Sequence, residues 1–247
     1  MSLLRSISTV IFILAVPVAL STLNVRYAFN EDRLWTYGFE RYQSDLRSGL
    51  PMSEVERSAG ELRAYFNDDS EQFNLKVLQN GQSVDLFNDR EVQHLVDVKD
   101  LVQNVYRAQA IALGFCLVYV VSVFVWAREM PVRALAYRVM IAAIATLGML
   151  IAFGSVAAVG FDSLWTRFHR IAFTNDLWQL NPATDRLIQM FPEPFWQDAT
   201  FFVAFLTVFE SGLLFTISFL YLRATRTTVE EPEEDLDEED VALVEPA

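Results

Sequence analysis

The chain has 247 residues, 53% of them apolar and 21% charged, with a formal net charge of −13. That length suits one compact unit, and an acidic balance without a basic patch or a nucleic-acid motif argues against nucleic acid as a partner. A single cysteine, Cys116, excludes a disulfide framework within the chain.

The apolar residues fall in blocks, the signature of membrane-spanning helices. Uncharged or nearly uncharged stretches run over 6–23, 108–127, 139–161 and 199–222, with 18, 20, 23 and 24 residues. At about 1.5 Å rise per residue each crosses a hydrocarbon core of roughly 30 Å, the first only just. The expected fold is an all-α integral membrane protein with four transmembrane helices. The first stretch, with Arg5 ahead of it and Pro17 within it, also fits a cleavable signal peptide. A retained span is preferred because it gives an even helix count with both termini cytoplasmic.

Orientation follows from the arginines beside the spans, since cytoplasmic segments carry the basic excess. Arg5, then Arg128, Arg133 and Arg138, then Arg223 and Arg226 mark one side as cytoplasmic. Segments 24–107 and 162–198 are then extracytoplasmic, although Arg167, Arg170 and Arg186 in the second reduce the contrast.

The first outer segment is too long for a simple connection and reads as a small α-helical subdomain carrying a β-hairpin. Ser53 and Glu56 form a capping box that starts a helix through about Phe66. Leu75 to Phe87 alternates apolar and polar residues around Asn80-Gly81, a hairpin signal. Asn88 and Glu91 make a second capping box, after which neither proline nor glycine interrupts the chain before Gly114. One long helix should therefore run from outside into the second span. Val92, Leu95, Val102 and Val105 share one face of it, while His94 and Asp97 lie three residues apart on another.

The second outer segment is dense in aromatic residues between Phe168-His169 and Phe195-Trp196, as suits a membrane interface. His169 stands at the start of this loop, and Asp185 is placed to cap a short helix through Met190, ended by Pro192. Residues 1–228 thus read as a four-span membrane domain. Ten acidic residues between Glu230 and Glu245 account for most of the net charge and make 229–247 a self-repelling, disordered cytoplasmic tail.

The only two histidines, His94 and His169, fall on the same side of the membrane near span ends. Histidine titrates near neutrality, so a facing pair supplies a general base and a general acid. The plainer reading is two unrelated interfacial histidines, each with a local hydrogen bond. Asp97 could fix the tautomer of His94 or be an ordinary solvated carboxylate. Arg90, one turn before His94, could lower its proton affinity, bind an anionic headgroup or be a surface charge. Two histidines with Asp97 or Asp176 would make three metal ligands, but the spacing matches no zinc motif, and neither metal nor cofactor is expected. Ser155 follows Gly154 within a span and shows no nucleophile elbow. Cys116 reads as a small apolar residue rather than a nucleophile. Glu210, near the middle of the fourth span, is either functional or hydrogen-bonded to Thr207 or a neighbouring helix, and the second reading is preferred.

Two blocks resemble the lipoprotein intramolecular transacylase family of bacterial membrane proteins. The first is Arg90-Glu91-Val92-Gln93-His94-Leu95-Val96-Asp97-Val98, and the second runs from Phe168-His169 through Asn175, Trp178, Pro182 and Asp185 to Phe191-Pro192-Glu193. The resemblance implies transfer of the sn-2 acyl chain of a lipoprotein's diacylglyceryl-cysteine to the α-amino group of the same cysteine, giving a lyso-form lipoprotein. It also implies a catalytic pair at His94 and His169, with a diacylated lipoprotein and membrane lipid as partners, in the bacterial cytoplasmic membrane. Such chemistry needs no protein nucleophile, because the substrate's own amine, with an ordinary pKa near 8, attacks. It needs a base, an acid for the departing glycerol hydroxyl and a donor to the carbonyl oxygen, for which Arg90, Asn175 and Trp178 stand equal. Two other readings stay open: a non-enzymatic protein that binds lipid or a partner, and a metal-dependent lipid hydrolase. Oligomeric state is not legible.

Overall fold

The computed structural model describes residues 2–79, 81–126 and 131–226. In chain order the elements are α1 (Ser2–Asn30), α2 (Asp32–Tyr42), α3 (Ser44–Ser48), α4 (Met52–Asn67), β1 (Lys76–Gln79), β2 (Gln82–Asp85), α5 (Asp89–Trp126), α6 (Pro131–Val159), α7 (Phe161–Ala172), α8 (Arg186–Met190) and α9 (Glu193–Ala224). Four of them, α1, α5, α6 and α9, are long and apolar enough to cross a membrane, as expected. The expectations for Asn80, Arg128 and the acidic segment 229–247 lie outside the described residues.

In the bundle, α1 packs on α5, α6 and α9, and α6 lies along α9. Lipid and leucine are equally apolar, so close backbone approach rather than hydrophobicity selects the contact residues between spans. Accordingly Ala142, Ala143 and Thr146 of α6 and Thr207, Ser211 and Ser218 of α9 are buried, while Ile111, Leu117, Ile151, Phe205 and Ile217 face outward. Glu210 is hydrogen-bonded as expected, with Asn24 of α1 donating to its Oε2 at 2.8 Å and to Thr207 Oγ1 at 3.0 Å.

At one end of the bundle α2, α3, α4, the hairpin, α8 and the first turns of α5 and α9 enclose a separate aromatic core. Trp35, Phe39, Leu62, Phe66, Leu95, Met190, Phe191 and Phe195 are buried there. The 38 residues of α5 extend about 57 Å at 1.5 Å per residue, so its amino-terminal portion stands clear of a hydrocarbon core of roughly 30 Å. It begins at the expected capping box: Asn88 Oδ1 accepts from Glu91 N at 3.0 Å, and Glu91 Oε2 accepts from Asn88 N at 2.8 Å. The hairpin is antiparallel with Gln79 opposite Gln82, a two-residue turn in which Gly81 takes φ +78°.

Four elements differ from expectation. Helix α4 starts at Met52, behind Pro51 at the N-cap, and its first amides bond to the Pro51 carbonyl, so Ser53 lies inside the first turn and caps nothing. Helices α2 and α3 occupy a stretch with no clear start signal. Helix α7 replaces the first part of the expected loop: Phe161, Leu164, Trp165, Phe168, His169 and Ala172 recur at helical spacing, which leaves Arg167 and Arg170 exposed.

Candidate active site

His94 sits in the second turn of α5 and His169 in the last turn of α7, and both are buried, at 6% and 7% exposure. Their ring centroids are 6.2 Å apart, and no hydrogen bond joins them. The rings stand among aromatic side chains. Phe173 lies 5.1 Å from His94 and 5.6 Å from His169, while Trp165, Trp178 and Phe168 approach His169 at 4.5, 5.0 and 5.2 Å. Trp165 also stacks on Trp196 at the start of α9, which fixes α7 against the bundle.

The two histidines differ in what holds them. His169 Nδ1 lies 2.8 Å from the Trp165 carbonyl. A carbonyl only accepts, so the proton is on Nδ1 and Nε2 keeps a lone pair. His94 Nδ1 is buried without a partner. An unsatisfied buried polar atom costs about 1–3 kcal/mol, and a catalytic role is one reason for a fold to keep it.

His94 is pushed down to about 4, chiefly by burial, then by the neighbouring His169 and least by Arg90, with Asp97 opposing. His94 precedes the apolar stretch of α5, so this effect comes from protein atoms packed on it. His169 is also pushed down by burial, against the carbonyl of Trp165, which favours its charged form. Both rings are therefore neutral at pH 7.

The other expected site residues form the frame around this pair. Trp178 lies on His169, as noted. Asp97 does not hydrogen-bond to His94: the loop after α7 folds over α5, and Asn175 Nδ2 donates to Asp97 Oδ2 at 2.8 Å. Asn175 Oδ1 in turn accepts from Leu177 N at 3.0 Å, which closes the turn leading to Trp178. The guanidinium of Arg90 donates to the Asp176 carbonyl and anchors the same loop. Asp185 occupies the N-cap position of α8 but caps nothing. Its carboxylate accepts from Asn181 N at 2.7 Å and from Asn88 Nδ2 at 3.1 Å, away from the histidines. The third ligand of a metal site is not assembled: Asp176 Oδ1 accepts from Gln179, and among the described residues no group of three or more His, Cys, Asp or Glu is placed to hold a metal.

Two contributions were not read from the sequence. Glu91, read only as half of a capping box, is buried at 1% exposure and reaches the other block as well, its Oε1 accepting from Leu187 N at 2.6 Å. One carboxylate thus caps both α5 and α8. Trp165, whose carbonyl orients His169, was legible in principle, since it lies one turn before His169 on the helical stripe of α7.

The arrangement places one proton-accepting ring nitrogen beside a second neutral imidazole among buried and half-buried aromatic side chains. That suits proton transfer within a bound substrate. A family model described as lipoprotein intramolecular transacylase Lit matches residues 9–196. An uncharacterised protein of Aquifex aeolicus (strain VF5) is 29% identical over 217 residues, covering 86% of this chain and 94% of that one. The solved structure of the membrane-integral lipoprotein intramolecular transacylase Lit of Bacillus cereus has a TM-score of 0.75 at 17% identity, covering 92% of this chain and 100% of that one. Its variant with a histidine replaced by alanine gives 0.72 at 16% identity, covering 92% and 97%. At these identities the likeness is one of fold.

Proposed function

The chain belongs to the lipoprotein intramolecular transacylase family, and from that premise we propose that it moves the sn-2 acyl chain of a lipoprotein's diacylglyceryl-cysteine onto the α-amino group of that cysteine. The observation that carries this reading is the approach of two neutral, buried imidazoles from separate helices to 6.2 Å. The free amine attacks the ester carbonyl, and a C–N bond forms. His169 Nε2 takes the proton that the nitrogen sheds, while its Nδ1–H stays on the Trp165 carbonyl, which stabilises the imidazolium. The ester C–O bond breaks, and the proton passes across His94 to the glycerol oxygen. His94 suits that step because its low proton affinity lets it release a proton readily. Atoms and protons balance: an ester and an amine become an amide and an alcohol.

Among the possible donors to the developing oxyanion, Trp178 is favoured. Its ring lies on His169, whereas the Arg90 guanidinium and the Asn175 amide are already engaged in holding the loop. Donor and acceptor belong to one molecule, so proximity supplies much of the rate. The histidine end of the bundle is assigned to the extracytoplasmic side, because the short segments flanking the spans at the other end carry Arg5, Arg133, Arg138, Arg223 and Arg226, whereas the arginines of the cap lie mostly in a long folded segment that crosses largely regardless of charge.

The test is purified protein with a diacylated lipoprotein and no added acyl donor or metal. Substrate and product are isomers, so the reading is loss of the free α-amine and a fragment spectrum with the acyl group on the cysteine nitrogen. The wild type should convert the substrate, and His94→Ala and His169→Ala should each lower the rate about 10²–10⁴-fold. An amine that stays free, or release of free fatty acid in its place, overturns the assignment.

A further inference from the structure

The bundle end opposite the histidines carries a second site. A cavity of about 900 Å³ opens between α6 and α9, walled by Tyr137, Met140, Phe219 and Leu222 and rimmed by Arg133, Arg223 and Arg226. From Arg133 to Val159, beside the helix that carries His169, α6 spans about 40 Å. The site is therefore separate from the histidine pair.

Its charge is one-sided. The described residues 2–23, 101–126, 131–159 and 211–226 contain no Asp or Glu, yet they include Arg5, Arg138 and the three arginines of the rim. The guanidinium of Arg133 is held in place, donating to Thr225 Oγ1 at 2.6 Å and to the Leu222 carbonyl at 3.4 Å. Arg223 and Arg226 are exposed and form no ion pair among the described residues. Below them, Tyr137 and Phe219 are 55% and 44% exposed on the outer surface of a membrane-spanning bundle. An anion with an attached hydrocarbon chain complements both halves of this cavity, whereas a free anion uses only the rim.

We propose that this cavity binds an anionic phospholipid, the phosphate on Arg133, Arg223 and Arg226 and an acyl chain along Met140 and Phe219. A basic pocket between spans at the membrane surface recognises anionic headgroups, with each guanidinium contributing about fivefold in affinity. The arginines also lie just ahead of the acidic residues between Glu230 and Glu245, which offer the same charge without the chain.

Delipidated full-length protein in detergent would be titrated with phosphatidylglycerol and with phosphatidylcholine of identical chains, with native mass spectrometry as the readout. Phosphatidylglycerol should bind at least tenfold more tightly, with one lipid bound and a preference that falls as salt rises. Arg223→Gln combined with Arg226→Gln should lower the phosphatidylglycerol affinity about 25-fold, leaving only the share of Arg133, while melting and acyl transfer stay unchanged. Equal binding of the two lipids, or an unaltered preference in the double variant, overturns the proposal. Displacement by millimolar inorganic phosphate would make the ligand a free anion and overturn it too. Binding that appears only when the Asp and Glu residues of 230–245 are replaced by Asn and Gln would assign the cavity to the chain's own acidic segment.

Discussion

Each histidine owes its protonation state to what buries it, and this sets the pH response. His94 is held at about 4, against an ordinary 6.5, and His169 is also lowered. A lowered histidine contributes stability that is complete above about pH 6.5 and is lost as pH falls from there toward 4. For activity, the group that must lose a proton near neutrality is then the substrate's ammonium, with a pKa near 8. The logarithm of kcat/KM should rise with unit slope from pH 6 to about 8 and then level, and a slope of two below pH 6.5 would show that a histidine titrates at its ordinary value. Glu91 makes a sharper claim, because both its oxygens accept amide protons, one at each of two helix starts. Glu91→Gln preserves shape but turns an NH₂ toward one of those amides, so stability should fall by about 1–3 kcal/mol in thermal melts. The turnover number should drop more than KM rises, because the loop bearing Trp178 loosens over His169. That the two histidines could come together was legible, because there are only two and both lie near span ends on one side. That Asp97 serves Asn175 instead of His94 was not, because their contact spans 78 residues of sequence and depends on how the loop folds back.

At the level of elements, the features read correctly were those with local signals. The second capping box, the hairpin turn and the four apolar runs each declare themselves within a few residues. Helix α7 had an adequate signal, but its aromatic stripe also matches a membrane-interface loop, and composition outweighed periodicity. Helix α2 is different: its packing rests on a contact that no short window contains. A Cβ on Gly38 would stand 2.3 Å from two ring carbons of Phe195. That ring is wedged among Trp35, Phe39, Phe191 and Trp196 and has nowhere to move. Alanine in a helix interior ordinarily gains up to about 1 kcal/mol over glycine, whereas forcing a methyl group into a full core costs about 1–3 kcal/mol. The clash should prevail, so Gly38→Ala should lower the melting temperature. Gly60→Ala is the internal comparison, since its new methyl meets only the tip of Arg63 at 3.9 Å. It should raise the melting temperature, and the same sign for both variants would refute the packing argument.

For the whole molecule, the arginine asymmetry that suggested an orientation from sequence takes on a three-dimensional form. One end of the bundle holds a folded cap with the histidine pair, and the other holds arginines without a described carboxylate. Basic residues close to span ends resist translocation, and acidic residues weigh little in that balance. Arg167, Arg170 and Arg186 in the cap blur the count, but Arg186 is held by the hairpin, donating to the Asp85 carbonyl at 3.0 Å and to Gln79 Oε1 at 2.5 Å. It therefore belongs to a folded unit rather than a short flanking loop, and folded units cross largely regardless of charge. The cap should face outward and the arginine end inward. Replacing Cys116 by alanine and adding one reporter, either Ser83→Cys on the hairpin or Ala224→Cys at the end of α9, makes this measurable with a membrane-impermeant maleimide. Intact cells should label the Ser83→Cys protein, while the Ala224→Cys protein should label only after the membrane is opened. The reverse pattern would place the histidine pair on the cytoplasmic side, where the proposed reaction would have to meet its lipoprotein before export.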